Sequence, residues 1–209
     1  MGGTFDPIHY GHLRLAEEMA ETIGLERVLF IPAGQPPHRD PPRTAAPHRL
    51  EMTRLAVGDN ARFVVDAREI ERARPSYTVD TLTELRAELG TAQPLWLLIG
   101  TDAFLGLPGW HEWERLFELA NIAVAGRPGI HSPEVRDLPA ALRDAVSNRL
   151  AADASDTGPS GSVLLHATTP LDISATAIRA MLGARRSARY LLPPAVLAYI
   201  HEHELYGNP

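Results

Sequence analysis

The residues best suited to chemistry stand near the two ends of the chain. At the start, Gly2-Gly3-Thr4-Phe5-Asp6-Pro7-Ile8-His9-Tyr10-Gly11-His12 sets glycines ahead of a helical pattern, with two histidines three residues apart. Glycines let a backbone come close to phosphate oxygens, and a helix N-terminus adds exposed N–H donors and about half a positive charge. His9 and His12 can turn both imidazoles toward one anion there. A ring N–H aimed at a nonbridging phosphate oxygen stabilises the charge that builds up in phosphoryl transfer. The competing readings are a surface turn with two histidines and an incomplete metal pair, which would want a third ligand. Toward the other end, Ile173-Ser174-Ala175-Thr176-Ala177-Ile178-Arg179 places two hydroxyls at a helix start. Arg179 follows within about one and a half turns and can present a planar fork to the same phosphate. Ser174 alone reads equally well as an N-cap.

Composition narrows what else the chain can do. Its 209 residues, 44% hydrophobic and 22% charged, suit a single packed domain. Cys is absent, which removes disulfides, thiol nucleophiles and cysteine-based metal sites. Lys is absent too, so all 20 basic residues are Arg. That excludes a Walker-A lysine, a Schiff-base lysine and a kinase ATP lysine. Any polyphosphate must be held by main-chain N–H groups, Arg, His and hydroxyls. The net charge of -6 argues against a nucleic-acid partner. The sequence shows no membrane-length apolar run and no signal peptide, and a soluble cytoplasmic protein is expected.

Elements must position these residues, and short β-rich runs alternating with helical patterns predict a doubly wound parallel α/β sheet with helices on both faces. Strands are expected at Val28–Pro32, Phe63–Asp66, Leu95–Gly100, Ile122–Ala125 and Val163–His166. Helices are expected at Leu13–Ile23, His48–Val57, Thr78–Leu89, Trp113–Leu119, Leu138–Leu150, Ser174–Leu182 and Pro194–His203. Gly34–Pro47, with five prolines, reads as an ordered or closing loop. Ala151–Ser162 reads as a flexible surface loop, and His201-Glu202-His203 as a solvated helix end. The opening glycines have no strand before them, although such a loop normally hangs from the central first strand. The first central strand is therefore expected to be missing, with Met1 an internal methionine at the end of the true strand.

The opening segment resembles the HxGH nucleotidyltransferase superfamily, and Ile173–Arg179 resembles its ISSTxxR signature, with Ala175 in place of the middle Ser. Pro75-Ser76-Tyr77-Thr78-Val79-Asp80-Thr81-Leu82 resembles the PSYTxDTL segment of nicotinate mononucleotide adenylyltransferases. Gly100-Thr101-Asp102 followed by Trp110 resembles their GxD…W segment, and Arg127-Pro128-Gly129 also has the family's look. Thr78, opening a helix, could hold a carboxylate such as that of nicotinate. Trp110 could stack on a pyridinium ring, or pack in the core beside Trp113. Asp102 suits ribose hydroxyls or a helix N-cap.

The resemblance implies adenylyl transfer from ATP to nicotinate mononucleotide, giving nicotinate adenine dinucleotide and pyrophosphate in NAD biosynthesis. It implies His9, His12 and Arg179 as catalytic residues. ATP contacts would come from Gly2, Gly3, Thr4, Phe5, His9, His12, Gly100, Asp102, Ser174, Thr176 and Arg179. Thr78, Trp110 and His111 would bind the mononucleotide, with His38, Arg39 and Arg127 as further phosphate contacts. Mg2+ would arrive with ATP and not in a protein cage, since no carboxylate cluster is evident. A homo-oligomer is compatible with the sequence. The alternatives are a nicotinamide mononucleotide or phosphopantetheine adenylyltransferase, and a nucleotide-binding protein without turnover.

Overall fold

The computed structural model describes residues 1–35, 41–72, 74–126, 138–169 and 171–207. In chain order it opens with β1 (Gly2–Gly3), α1 (Tyr10–Ile23), β2 (Val28–Pro32), α2 (Ala46–Val57) and β3 (Phe63–Val65). α3 (Arg68–Glu71), α4 (Thr78–Leu89), β4 (Trp96–Gly100), α5 (Thr101–Leu105) and α6 (Leu116–Leu119) follow. β5 (Asn121–Gly126), α7 (Ala140–Val146), β6 (Val163–Ala167), α8 (Ala175–Gly183) and α9 (Pro194–Glu202) complete it. This is a Rossmann-like α/β fold of two three-stranded parallel sheets flanked by helices, ordered β1-β2-β3 and β4-β5-β6. The chain divides into two compact units. Residues 2–16, 26–76 and 171–209 form the first, and residues 1, 17–25 and 77–170 the second.

In the first unit β2 is the middle strand. Its apolar run VLFIP is buried at four of five positions, as a strand covered on both faces requires. The Phe30 ring meets Phe63 at 4.9 Å and Phe5 at 6.0 Å, and Met52 of α2, Val196 and Ile200 of α9 are fully buried. The opening glycines are not a loop alone. Gly2 and Gly3 pair in parallel with Ile31 and Pro32, and Ala33 N–H donates to the Gly3 carbonyl at 2.8 Å. The opening glycines, expected as a loop, form this two-residue strand. Ladder hydrogen bonds need only main-chain groups, so a side-chain pattern cannot reveal it.

In the second unit β4 is buried along Trp96–Ile99 and β5 throughout, and Leu82, Leu85 and Phe117 are buried in the same unit. The Thr78–Leu89 helix starts and ends as expected. Trp113–Leu119 is a 3-10 turn at Trp113–Arg115 leading into α6, and the helix expected over Leu138–Leu150 is shortened to α7. α3, α5 and 3-10 turns at Leu107–Gly109 and Ala154–Asp156 were not anticipated, each being too short to show a period.

The stretch 151–162 is not a free surface loop. Asn121, with 0% exposure at the start of β5, donates from Nδ2 to the Gly158 carbonyl and accepts at Oδ1 from Ser162 N–H, both at 2.8 Å. Leu95 N–H donates to the Pro159 carbonyl at 3.2 Å, and Gly161 N–H to that of Ala120 at 3.2 Å. Asn121→Ala should therefore cost about 1–3 kcal/mol by removing both of its hydrogen bonds to the loop. Urea unfolding measures it; a loss under about 0.5 kcal/mol would show that the loop does not depend on this side chain.

Candidate active site

The HxGH segment lies wholly in the first unit, where β1 turns into α1. A Cβ on Gly3 would sit 2.6 Å from Phe5 Cε1, so the Phe5 ring lies where any other residue's side chain would begin. Phe5 itself has φ 50°, in the left-handed region that a bulky residue seldom adopts. Its ring edge meets His12 at 5.1 Å and 90°. The space beside Gly2 is open, with nothing within 4 Å of where a Cβ would stand.

Gly11 sets the histidine pair. A Cβ there would lie 3.0 Å from His9 Nδ1 and 3.1 Å from its Cε1, tighter than ordinary packing. Without it the two imidazoles stack at 3.8 Å and 28°. The His9 main-chain N–H donates to His12 Nδ1 at 3.3 Å, which puts the His12 proton on Nε2 and keeps that N–H as a donor. His9 is buried at 5% exposure, and its Nδ1 has no hydrogen-bond partner. Burial lowers the His9 pKa to about 4, and burial together with neighbouring His9 holds His12 well below its ordinary value. Both rings are neutral at pH 7: they act as aimed dipoles and donors, not as cations.

Arg179, on α8, donates from Nη1 to the Asp6 carbonyl at 2.7 Å and from Nη2 to Thr176 Oγ1 at 3.2 Å, while its buried Nε has no partner. The structure thus brings Thr4, Phe5, His9, His12, Thr176 and Arg179 together in one unit. Ser174 is exposed and caps α8, accepting from Ala177 N–H at 3.1 Å. Both readings of Ser174 are open to it at once, because the hydroxyl proton stays available to an anion.

Three residues that sequence reasoning left out hold this segment. Arg49, only 1% exposed, donates from Nε to the Thr44 carbonyl at 3.1 Å, from Nη1 to Thr4 at 2.8 Å and from Nη2 to Gly34 at 3.2 Å. Burial pushes its pKa down and the Asp6 charge pulls it back up. Asp6 is itself buried; its carboxylate accepts from Arg43 N–H at 2.8 Å and from the Tyr206 hydroxyl at 2.6 Å. Burial, then the bond to Asp6, raises the Tyr206 pKa, so the phenol keeps its proton. Asp6 stands in the opening motif, whereas Arg49 shares the buried face of α2 with Met52 and Thr53, which no apolar period marks.

The remaining expected residues belong to the second unit or lie outside the described residues. Thr78 is the first residue of α4, whose N-terminus has no capping side chain. Asp102 is exposed at the second position of α5; the N-cap is Gly100, so the capping alternative is set aside. Trp110 is half-buried, and it is Trp113 that pairs with Phe117, at 6.1 Å. His111 is exposed, lies 4.4 Å from the Tyr77 ring and 3.6 Å from Glu112. His38, Arg39 and Arg127 fall outside the described residues. In the first unit His201, Glu202 and His203 are exposed at the end of α9, as expected, with His203 4.2 Å from Tyr199 and 5.2 Å from His48. Among the described residues no group of three or more His, Asp and Glu could hold a metal.

Comparison with known proteins decides what this arrangement belongs to. A cytidylyltransferase-like family model matches residues 1–181. A probable nicotinate-nucleotide adenylyltransferase of Dechloromonas aromatica is 53% identical over 209 residues, covering 99% of this chain and 96% of the relative. The chain belongs to the nicotinate-nucleotide adenylyltransferase family. A second relative from Halorhodospira halophila is 51% identical, covering 100% of this chain and 94% of its own. The nicotinic acid mononucleotide adenylyltransferase of Plasmodium falciparum, solved with NaAD, shares the fold at TM-score 0.72 and 17% identity over 98% of this chain and 94% of that one.

Folded, both rings bind a proton less readily than unfolded. Stability is therefore full above about pH 6.5 and falls as pH drops toward about 4, where folded His9 takes its proton. Long-range proton–nitrogen spectra should show His12 protonated on Nε2 alone, with neither ring titrating between about pH 7.5 and 5.5. A midpoint near 6.5 for either ring would contradict the buried neutral pair.

Proposed function

We propose that the protein transfers the adenylyl group of ATP to nicotinate mononucleotide, releasing nicotinate adenine dinucleotide and pyrophosphate. The observation that carries this is the His9–His12 stack at the start of α1, with His12 Nε2 left as a donor. A 5′-phosphate oxygen of the mononucleotide attacks the α-phosphorus in line. The new P–O bond forms as the bond to the bridging oxygen breaks, and pyrophosphate carries away the electron pair. The nucleophile is already anionic at neutral pH, so no general base is needed. What remains for the protein is placement and stabilisation of charge.

His12 Nε2–H donates to a nonbridging α-phosphate oxygen, and His9 to the neighbouring phosphates. A neutral donor bond strengthens as charge accumulates on that oxygen. Ser174, Thr176 and Arg179 hold the β- and γ-phosphates and the departing pyrophosphate, with Gly2 and Gly3 leaving room for main-chain approach. Gly100 and Asp102 serve the ATP ribose. Thr78 at the uncapped start of α4, with Trp110 and His111, serves the nicotinate mononucleotide. Mg2+ enters as the counterion of the triphosphate. Charged nucleotide substrates suit a cytoplasmic protein, and among the described residues no helix is long and apolar enough to cross a membrane.

Pyrophosphate release with ATP and Mg2+ should strongly prefer nicotinate mononucleotide over nicotinamide mononucleotide and phosphopantetheine. Equal use of the two pyridine nucleotides would remove the acid-selecting role of Thr78, and no release with any would remove the enzymatic reading. His12→Ala should lower turnover about 10²–10³-fold, the cost of one transition-state donor. A loss under about threefold would take that role away from His12.

A further inference from the structure

Asp6 sits inside the phosphate motif, yet both its carboxylate oxygens are held from elsewhere. Arg43 N–H, in the loop before α2, donates to Oδ2 at 2.8 Å; the Tyr206 hydroxyl, beyond the end of α9, donates to Oδ1 at 2.6 Å. The main-chain carbonyl of the same residue accepts Arg179 Nη1 at 2.7 Å. Asp6 is 4% exposed, so its charge is out of water and must be satisfied by these donors. Tyr206 meets it from a strained backbone, φ 63°, a conformation that a tyrosine keeps only where surrounding contacts enforce it. One orientation of Asp6 thereby serves two ends: its side chain is locked by Tyr206 and Arg43, and its main chain locks Arg179. The Arg179 Nε–H, buried and unpartnered, is left fixed in direction by that lock.

We infer that Tyr206 is a positioning residue for adenylyl transfer: by anchoring Asp6 it sets the orientation in which the Arg179 guanidinium meets the triphosphate. The inference rests on the adenylyl-transfer reading above, and its effect passes through Arg179 and not through general stability. Tyr206→Phe removes the donor and keeps the ring. Assayed well below its melting temperature, it should lower kcat about tenfold, while KM for ATP changes less than about threefold, because a misaligned group costs the transition state more than the ground state. On an Arg179→Ala background the same change should cost less than about twofold, since residues acting as a unit are not additive.

A readout that needs no turnover accompanies these. The Arg179 Nε–H signal should be sharp and slow to exchange in the unaltered protein, and broadened or fast in Tyr206→Phe. Should that variant not fold, Asp6→Asn, which leaves one oxygen for two donors, should give the same pattern. An equal loss of kcat with and without Arg179, or an unchanged Nε–H signal, would overturn the inference. If the unaltered protein releases no pyrophosphate, the adenylyl-transfer reading fails separately, and the Nε–H comparison still decides whether Tyr206 orients Arg179.

Discussion

The phosphate motif depends on one steric constraint: the absence of a side chain at Gly11. With His9 Nδ1 3.0 Å from where a Cβ would stand, a side chain there would press the His9 ring out of its place in the stack. With the stack go the bond from His9 N–H to His12 Nδ1 and the single tautomer of His12, while burial keeps both rings neutral. Gly3 does the same for Phe5, whose ring edge closes the other side of His12. Two glycines thus shape one neutral donor by what they leave out.

Within each unit an arginine gathers main-chain carbonyls. Arg49 takes the Thr4, Gly34 and Thr44 carbonyls in the first unit. In the second unit Arg86 spends its donors on the carbonyls of Leu119, Gly90, Gln93 and Pro159. A planar guanidinium can reach several acceptors at fixed angles, which a lysine ammonium cannot do over such spans. The chain contains no lysine at all, and at these two sites arginine serves architecture. Asp6 meets two further demands: its charge supports buried Arg49, and its carbonyl accepts from Arg179 Nη1.

Much of the first layer was readable from residue order. The strand runs Val28–Pro32 and Val163–His166 are apolar and bounded by turns, and Thr78–Leu89 carries a helical period between a β-branched start and Gly90, so their limits fall within a residue or so. β1 escaped because glycines carry no pattern, and the order of 151–162 escaped because one buried Asn from a neighbouring strand edge supplies it. The motif histidines and Arg179 were legible from type and spacing. Tyr206 and Arg43 were not: they reach Asp6 from far along the chain, and only tertiary packing brings them there.

The most direct test of the central claim, that a glycine-made pocket aims His12 Nε2 at the α-phosphate, is a crystal structure with Mg2+ and a non-cleavable ATP analogue. An α-phosphate oxygen about 2.7–3.2 Å from His12 Nε2, with Arg179 toward the terminal phosphates, is the expected result. A triphosphate bound away from the histidine pair, or an α-phosphate out of hydrogen-bond reach of His12, would contradict it.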